Sequence, residues 1–167
     1  DEEKVNEWLR AHGSKAEVEK GYGMSEFCGC GTYAQGKYNQ AESIGIPLPN
    51  TTIAIVDPNV EDKLVPLKFE EGMEMLEGEC AVSSDAVTNG IVHGDIIIPH
   101  FELDGNPYIR TRDIVQIDRN GIIYHKDRKD RSFARVDGYK IKPHEIEKEN
   151  KKNSHVKYVR ITPYFDE

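Results

Sequence analysis

The sequence lacks the features that mark membrane-spanning, secreted and disulfide-stabilised proteins. No stretch approaches the roughly 20 consecutive apolar residues that a membrane-spanning helix needs, and the opening residues, Asp-Glu-Glu-Lys, form no apolar signal region. The three cysteines are an odd number with no framework spacing. We therefore expect no membrane partner and a reducing compartment, with the cytoplasm as the default location.

Positively charged residues are also fewer than negatively charged ones. The chain has 22 Lys and Arg against 30 Asp and Glu, a formal net charge of -8, which argues against a general nucleic-acid binder. Basic residues are concentrated between positions 126 and 142, whereas positions 57 to 79 are acidic. A local basic segment in an acidic protein fits an anionic small molecule or carrier better than a long polyanion.

The first part of the chain mixes one helical pattern with glycine-rich segments. Val5, Trp8 and Leu9 follow the i, i+3, i+4 spacing of an amphipathic helix, which predicts a helix over residues 2–11. A short strand is expected over residues 16–19. The glycine-rich stretch 28–39 predicts an irregular loop.

Short strands separated by turns are expected through the middle of the chain. Asp118-Arg119-Asn120-Gly121 is a strong hairpin signal, because Asn-Gly supplies the positive φ that tight turns need. Strands at this spacing predict a small, strongly curved sheet or barrel. We predict them at residues 51–56, 79–83, 91–92, 96–99, 108–111, 114–117 and 122–125.

The composition changes at residues 126–131, where every side chain is charged. A solvated surface turn is the simple structural explanation of such a run. Beyond it we expect strands over 133–136, 139–141 and 156–161 and a helix that begins at Pro143, the order of elements in the start of a second domain. The predicted fold class is therefore mixed α+β.

Two segments carry most of the chemistry. Gly21-Tyr22-Gly23-Met24-Ser25-Glu26 places an aromatic ring, two flexible backbone positions, a hydroxyl and a carboxylate within six residues. Tyr108-Ile109-Arg110-Thr111-Arg112-Asp113 presents a hydroxyl and a carboxylate at the end of an apolar strand. Ring stacking, phosphate contact, metal charge and ribose pairing are what a protein needs to hold a magnesium-bound adenosine phosphate. Nucleotide-dependent chemistry is the leading interpretation.

Both segments resemble motifs of the adenylate-forming superfamily, which includes acyl- and aryl-CoA synthetases, peptide-synthetase adenylation domains and luciferases. The first is similar to Tyr-Gly-x-Thr-Glu, with Ser25 in place of threonine, and the second resembles Tyr-x-Thr-Gly-Asp. Any one such match is weak, but together they follow the family's order from residue 21 to residue 147. The further segments that resemble family motifs are residues 43–49, 76–79, 118–121, 127–130, and 138–141 with 145–147.

Three positions depart from the family pattern. Arg112 stands where the family has glycine before Asp113, and Asp127 stands where it has glycine before Arg128. A lysine that often follows the hinge is replaced by Ala134 or Arg135, depending on the placement of one residue. The bulky side chains at Arg112 and Asp127 favour the alternative that the chain is a non-catalytic nucleotide-binding or scaffold fragment.

The resemblance covers the middle-to-late third of a full synthetase. The family's phosphate loop and acyl-pocket residues, which precede the tyrosine motif, have no counterpart here, and its C-terminal catalytic lysine would lie beyond Glu167. The implied domains are a remnant of the large nucleotide-binding subdomain (1–42), a distorted β-barrel subdomain (43–127), a hinge (128–131) and the start of a small α+β C-terminal domain (132–167). We expect such a fragment to be catalytically inert.

The resemblance implies roles for the tyrosine motif. Tyr22 would stack on adenine, with Gly23 and Met24 beside it in the nucleotide-binding loop. Ser25 would contact a phosphate oxygen, and Glu26 would hold Mg²⁺, which takes one or two carboxylates plus phosphate oxygens. Ser25 and Glu26 are thus the expected catalytic residues. The structural alternatives are a core tyrosine, a turn serine and a surface or helix-capping glutamate.

The resemblance also implies roles for four residues farther along the chain. Asp113 would accept hydrogen bonds from both ribose hydroxyls, and Arg128 would reach ribose or phosphate from the other side. Asp130 would be the hinge pivot, and Gly138 would let the backbone approach a pantetheine arm. A turn-capping aspartate, a solvated arginine and a turn glycine are the structural alternatives.

The function that these implications favour is ATP-dependent activation of a carboxylate as an acyl-adenylate, followed by transfer to a thiol. The expected cofactors are ATP/AMP, Mg²⁺ and coenzyme A, and the acceptor is the thiol of coenzyme A or of a carrier protein. The alternatives are a non-catalytic, β-rich nucleotide-binding or scaffold fragment and a generic protein-interaction barrel, which would show no nucleotide dependence.

Two other sites receive little support. Cys28 and Cys30 could form half of a metal site, but no second pair follows them. His93, His100 and His125 have no nucleophile partner in the sequence, which argues against a hydrolase.

Overall fold

The computed structural model describes residues 2–87, 92–93, 96–97, 100–131, 133–134, 137 and 140–163. None of the helices in these ranges combines the length and apolar composition that crossing a bilayer requires. The described elements are helices α1 (Glu2–Ala11) and α2 (Pro143–Asn150) and strands β1 (Lys20–Tyr22), β2 (Thr32–Ala34), β3 (Ser43–Pro47), β4 (Thr51–Val56), β5 (Met75–Ser84), β6 (Val92–His93), β7 (Ile96–Ile97), β8 (Phe101–Leu103), β9 (Asn106–Asp118), β10 (Ile123–Arg128), β11 (Phe133–Ala134) and β12 (Lys140–Ile141).

One antiparallel sheet organises most of these strands. Its order is β1-β2-β3-β10-β9-β5-β4, and β8 pairs with β9 beside this path. The pairs β6–β7 and β11–β12 are separate. The α+β class is therefore confirmed, and in the described residues the β-rich part is an open sheet that does not close on itself.

The two long central strands are buried on both faces over part of their length, at residues 78–82 of β5 and 108–111 of β9, as strand segments covered on both sides are expected to be. Cys80 and Val82 of β5 face one apolar cluster, whereas Ala81 faces another. Phe27, which is only 2% exposed, packs into the first cluster from the loop after β1. Burial of such a ring contributes about 2–3 kcal/mol, so the core itself anchors the loop that carries the tyrosine motif.

The hairpin between β9 and β10 forms where it is predicted. The N–H of Gly121 donates to the carbonyl of Asp118 at 3.0 Å, and Gly121 has φ +82°, a left-handed conformation that glycine adopts at little cost. The Asp118 carboxylate also accepts from the N–H groups of Asn120 and Ile122, at 2.9 and 2.8 Å. This turn fixes the register that places β10 against Asp113.

Both helices also agree with the sequence. α1 has the predicted bounds, and Gly13, with φ +75°, follows its last turn. α2 begins at Pro143, whose missing N–H is no loss at a first helical position. Burial differs from what the periodicity suggests, because Val5 and Trp8 are 47% and 59% exposed.

Other secondary-structure predictions were wrong. The strand expected at 16–19 lies at β1 instead, and the predicted loop 28–39 contains β2. Both strands have three residues and depend on pairing with β3 and with each other, which local sequence does not reveal. Residues 156–161 form no strand. The two strands expected on either side of Arg112 are one strand, β9.

Candidate functional site

The tyrosine motif and the aspartate of the second motif meet in space although 91 residues separate them. The Tyr22 hydroxyl donates to Asp113 Oδ2 at 2.5 Å. Both residues line a cleft of about 370 Å³, within the range of about 300–1,000 Å³ typical of small-molecule sites. The sequence-predicted pair therefore shares one cleft.

Asp113 is buried, with only 5% of its surface exposed, and hydrogen bonds fix its backbone. Its N–H donates to Thr111 Oγ1 at 3.2 Å, and the Thr111 hydroxyl donates to the Cys80 carbonyl at 3.0 Å. The expectation of a strand-end aspartate was wrong, since Asp113 lies inside β9. The left-handed backbone at Arg112, φ +64°, interrupts the strand's regular geometry just before it.

The carboxylate of Asp113 is surrounded by groups that favour its ionised form. His125 Nε2 lies 3.3 Å from Oδ1 and Arg128 Nε lies 3.6 Å from the same atom. Burial opposes ionisation most strongly, but the hydrogen bonds of His125 and Tyr22 and the charge of Arg128 together lower the pKa of Asp113. The site therefore presents a buried carboxylate anion.

A bulge in β10 explains how two side chains of that strand reach Asp113. His125 pairs with Val115, but Asp127 pairs with Ile114 and Arg128 with Asp113, so one extra residue is inserted. Such a bulge bends the strand and redirects its side chains. His125 and Arg128 consequently both approach the same carboxylate.

Tyr22 is held by its hydroxyl while its ring lines the cleft. Burial raises the pKa of this hydroxyl above its ordinary value, and the neighbouring Cys80 and Asp113 raise it further. The ring centroid lies 6.2 Å from that of Phe27 and 6.4 Å from that of His125. The phenol is therefore a fixed, neutral hydrogen-bond donor.

The rest of the tyrosine loop, which we define as residues 22–26, packs against residues 28–31. A Cβ on Gly23 would lie 1.2 Å from the Gly29 carbonyl oxygen, so only glycine fits there. Met24 is partly buried against the core cluster. Ser25 is exposed and begins a single 3₁₀ turn that ends at the buried Phe27.

Glu26 points to a second, smaller cavity rather than to Asp113. This cavity has a volume of about 320 Å³ and shares Met24 and Arg128 with the cleft that Tyr22 and Asp113 line. In the described part of the chain, no three or more His, Cys, Asp or Glu side chains form a group that could hold a metal ion. Glu26 and Glu61 are the carboxylates at this cavity, and one or two carboxylates suit an Mg²⁺ ion bound mainly by phosphate oxygens and water.

Arg112, one of the positions that departs from the family pattern, makes specific contacts. Its Nε and Nη2 lie 3.1 and 2.9 Å from Asp130 Oδ1, and its Nη1 lies 2.9 Å from Glu61 Oε2. Lys129 also bonds Glu61, and its Nζ lies 3.6 Å from the buried Glu79. Asp130 is thereby tied to the residue before Asp113.

Comparison with known proteins identifies the family. The sequence model of the family described as AMP-binding enzyme matches residues 2–92, more than half of the chain. The chain belongs to this family. The segment matched includes the whole tyrosine loop and strands β1 to β5.

Similar proteins are found among adenylate-forming enzymes of several kinds. The D-alanine–D-alanyl carrier protein ligase of Lactiplantibacillus plantarum is 28% identical over 153 residues, covering 87% of this chain and 28% of that protein. The nonribosomal peptide synthetase asaC of Aspergillus flavus is 32% identical over 113 residues, 62% of this chain and 10% of that protein.

The fold also matches solved structures. The O-succinylbenzoate-CoA synthetase of Bacillus subtilis, solved with its acyl-adenylate intermediate, superposes with a TM-score of 0.70 at 23% identity, over 98% of this chain and 31% of that one. This likeness shows the fold alone. The chain spans less than a third of each of these three proteins.

Sequence reasoning missed one group beside the candidate ribose site, His125. The hairpin signal could have found it, because a turn at Asn120 pairs residue 125 with residue 115, two positions from Asp113. The hinge role of Asp130 and the roles of Ser25 and Glu26 remain predictions. Gly138, expected beside the pantetheine arm, lies outside the described residues.

Proposed function

We propose that this chain is the nucleotide-binding portion of an enzyme that activates a carboxylate with ATP. A carboxylate oxygen attacks the α-phosphate, which gives an acyl-adenylate and releases pyrophosphate. A thiol, of coenzyme A or of a carrier protein, then takes the acyl group and releases AMP. The observation that carries this proposal is the cleft in which Tyr22 and Asp113 meet.

Asp113 is suited to bind the ribose. A carboxylate offers about four lone-pair sites, and Tyr22 and His125 take one each. Two sites remain for the 2′- and 3′-hydroxyls, which donate to an anion kept ionised by its neighbours. The ring of Tyr22 lies at the same cleft and offers a face on which adenine would stack.

Three basic side chains line the cleft, although the chain as a whole is acidic. Lys126, Arg128 and Arg131 line it, against the carboxylates of Asp113 and Asp127. Arg131 is held in place by Glu147, with its Nη2 at 2.8 and 2.9 Å from the two carboxylate oxygens. A fixed arginine and two neighbouring cations would stabilise the negative charge on the phosphate during adenylation.

Glu26 and Ser25 would act at the phosphate end of the site. Bound Mg²⁺ would neutralise charge on the phosphate oxygens, and we expect Glu26 to hold it. Ser25 would donate its hydroxyl to a phosphate oxygen. Because the chain spans only part of its relatives, we expect the 167-residue protein alone to bind nucleotide but not to turn it over.

The test is isothermal titration of the 167-residue chain with AMP. We expect weak binding, with a Kd of about 1 mM, that Asp113→Asn weakens at least about tenfold. Glu71→Gln, which neutralises one exposed carboxylate outside the cleft, is the matched control and should bind like the unmodified chain.

A parallel pyrophosphate-release assay with ATP, Mg²⁺ and a carboxylate should show no turnover. Robust turnover would overturn the expectation that the 167-residue chain alone is catalytically inert. No AMP binding at millimolar concentration would favour a non-catalytic scaffold, the alternative that Arg112 supports, since its bulk stands at a left-handed position where the family has glycine.

A further inference from the structure

Two of the three cysteines lie on the segment that supports the tyrosine loop. Cys28 and Cys30 are exposed, whereas Cys80 is buried. The Cys28 thiol donates to the Ala86 carbonyl at 3.4 Å, and the Cys30 thiol donates to the Thr32 carbonyl at 3.0 Å. Each thiol is reachable from solvent, and each secures a different end of the same short loop.

This Cys-Gly-Cys loop, residues 28–30, is in backbone contact with the tyrosine loop. The N–H of Gly29 donates to the Met24 carbonyl at 3.0 Å, and the N–H of Gly31 donates to the Tyr22 carbonyl at 2.8 Å. The Gly29 carbonyl oxygen also occupies the space where a Cβ of residue 23 would lie. Movement of Gly29 therefore displaces the backbone on both sides of Gly23.

We propose that Cys28 and Cys30 form a reversible thiol-modification site that switches the tyrosine loop between a nucleotide-competent and a nucleotide-incompetent form. The effect of the modification on nucleotide binding rests on the proposed function, whereas the thiol–disulfide exchange itself does not. The oxidant is a small-molecule disulfide such as oxidised glutathione. The buried thiol of Cys80, whose pKa burial raises to about 12, takes no part.

The reaction is two thiol–disulfide exchanges. The Cys28 thiolate attacks one sulfur of the small disulfide, forms a mixed disulfide and releases one small thiol. The Cys30 thiolate then attacks the Cys28 sulfur, closes the Cys28–Cys30 bond and releases the second thiol. Two protein thiols are oxidised and one small disulfide is reduced to two thiols.

Closure of the disulfide requires both thiols to leave their present hydrogen-bond partners. Cα atoms two residues apart can be at most about 7 Å apart, the upper edge of the disulfide range, and Gly29 gives the intervening backbone freedom to rotate. The two thiols now bond to different carbonyls, and closing the disulfide gives up both contacts. We expect Gly29 to move in response, and the tyrosine loop with it.

The experiment treats the 167-residue chain with oxidised glutathione and follows mass, backbone and ligand binding separately. We expect a single peptide containing both residues to lose two hydrogens, amide NMR signals of residues 21–26 to shift, and AMP affinity to fall about tenfold, as for loss of one ligand hydrogen bond. Dithiothreitol should reverse all three. The matched control is Cys28→Ser/Cys30→Ser, which should keep its AMP affinity and ignore glutathione.

The outcomes separate this inference from the proposed function. Failure of the Cys28–Cys30 bond to form, or its formation with unshifted tyrosine-loop signals, would overturn the switch. Equal AMP affinity before and after oxidation would also overturn it and would leave the proposed function intact. If the reduced chain binds no AMP, the proposed function fails, whereas reversible loop movement would still support the modification site.

Discussion

Arg112 provides a sharp test of the local geometry that positions Asp113. Its backbone has φ +64°, a left-handed conformation that costs a residue with a Cβ roughly 1–2 kcal/mol. Its guanidinium contacts Asp130 and Glu61, both more than half exposed. Replacement by alanine and by glycine removes these ion pairs equally, so a comparison of the two variants isolates the backbone strain.

The magnitude follows from two opposing effects. Glycine relieves the left-handed strain of about 1–2 kcal/mol but makes the unfolded chain more flexible, which costs about 0.4–1 kcal/mol. Arg112→Gly should therefore be more stable than Arg112→Ala by about 0.5–1 kcal/mol. At Gln116, on the same strand but without positive φ, the order should reverse, with glycine about 0.5–1 kcal/mol below alanine.

The assay is urea denaturation of all four variants followed by circular dichroism, with the free energy of unfolding as the quantity compared. The prediction concerns which of the two variants, glycine or alanine, has the larger free energy of unfolding at each position. If glycine is the less stable replacement at both positions, Arg112 is not strained and the account of the kink before Asp113 is wrong.

Further predictions concern the groups around the cleft. Tyr22→Phe removes a donor to a buried carboxylate and should lower the free energy of unfolding by about 1.5–3 kcal/mol. The control Tyr158→Phe, at a side chain that is 75% exposed, should leave the free energy of unfolding unchanged. Equal effects of the two substitutions would refute the hydrogen bond between Tyr22 and Asp113. Gly23→Ala places a methyl group on the Gly29 carbonyl and should abolish AMP binding in titration calorimetry. Gly72→Ala, at a left-handed position (φ +78°) with open space at Cβ, should lower the free energy of unfolding but retain AMP binding. Because the folded-state pKa of Asp113 is lowered, its contribution is present above about pH 4 and lost as pH falls through that lowered pKa. Urea midpoints should therefore drop less on acidification in Asp113→Asn than in the unmodified chain or Glu71→Gln; an identical drop would contradict the assignment.

Elements with a complete local signal could be predicted from the sequence. α1, β4 and the turn from Asp118 to Gly121 have their predicted positions, because periodicity, strand composition and turn chemistry all act within a few residues. α2 begins at Pro143 for the same reason. The meeting of Tyr22 and Asp113 was foreseen only through the family resemblance, since no local rule links residues so far apart.

The features that were missed depend on tertiary pairing. β1 and β2 have three residues each; β2 pairs with β3, and β1 pairs with β2. The bulge that inserts a residue into β10 after His125 and pairs Arg128 with Asp113 was also missed, because bulges leave no reliable mark in a single sequence. The apolar residues between 156 and 161 suggested a strand, yet there the Ile161 N–H donates to the Glu147 carboxylate instead of to a neighbouring strand.

The most direct measurement is a crystal structure of the 167-residue chain soaked with AMP. We expect both ribose hydroxyls within hydrogen-bonding distance of the Asp113 carboxylate, the purine against the ring of Tyr22, and the phosphate toward Arg128. Ordered AMP at any other place, with the Tyr22–Asp113 cleft empty, would contradict the account.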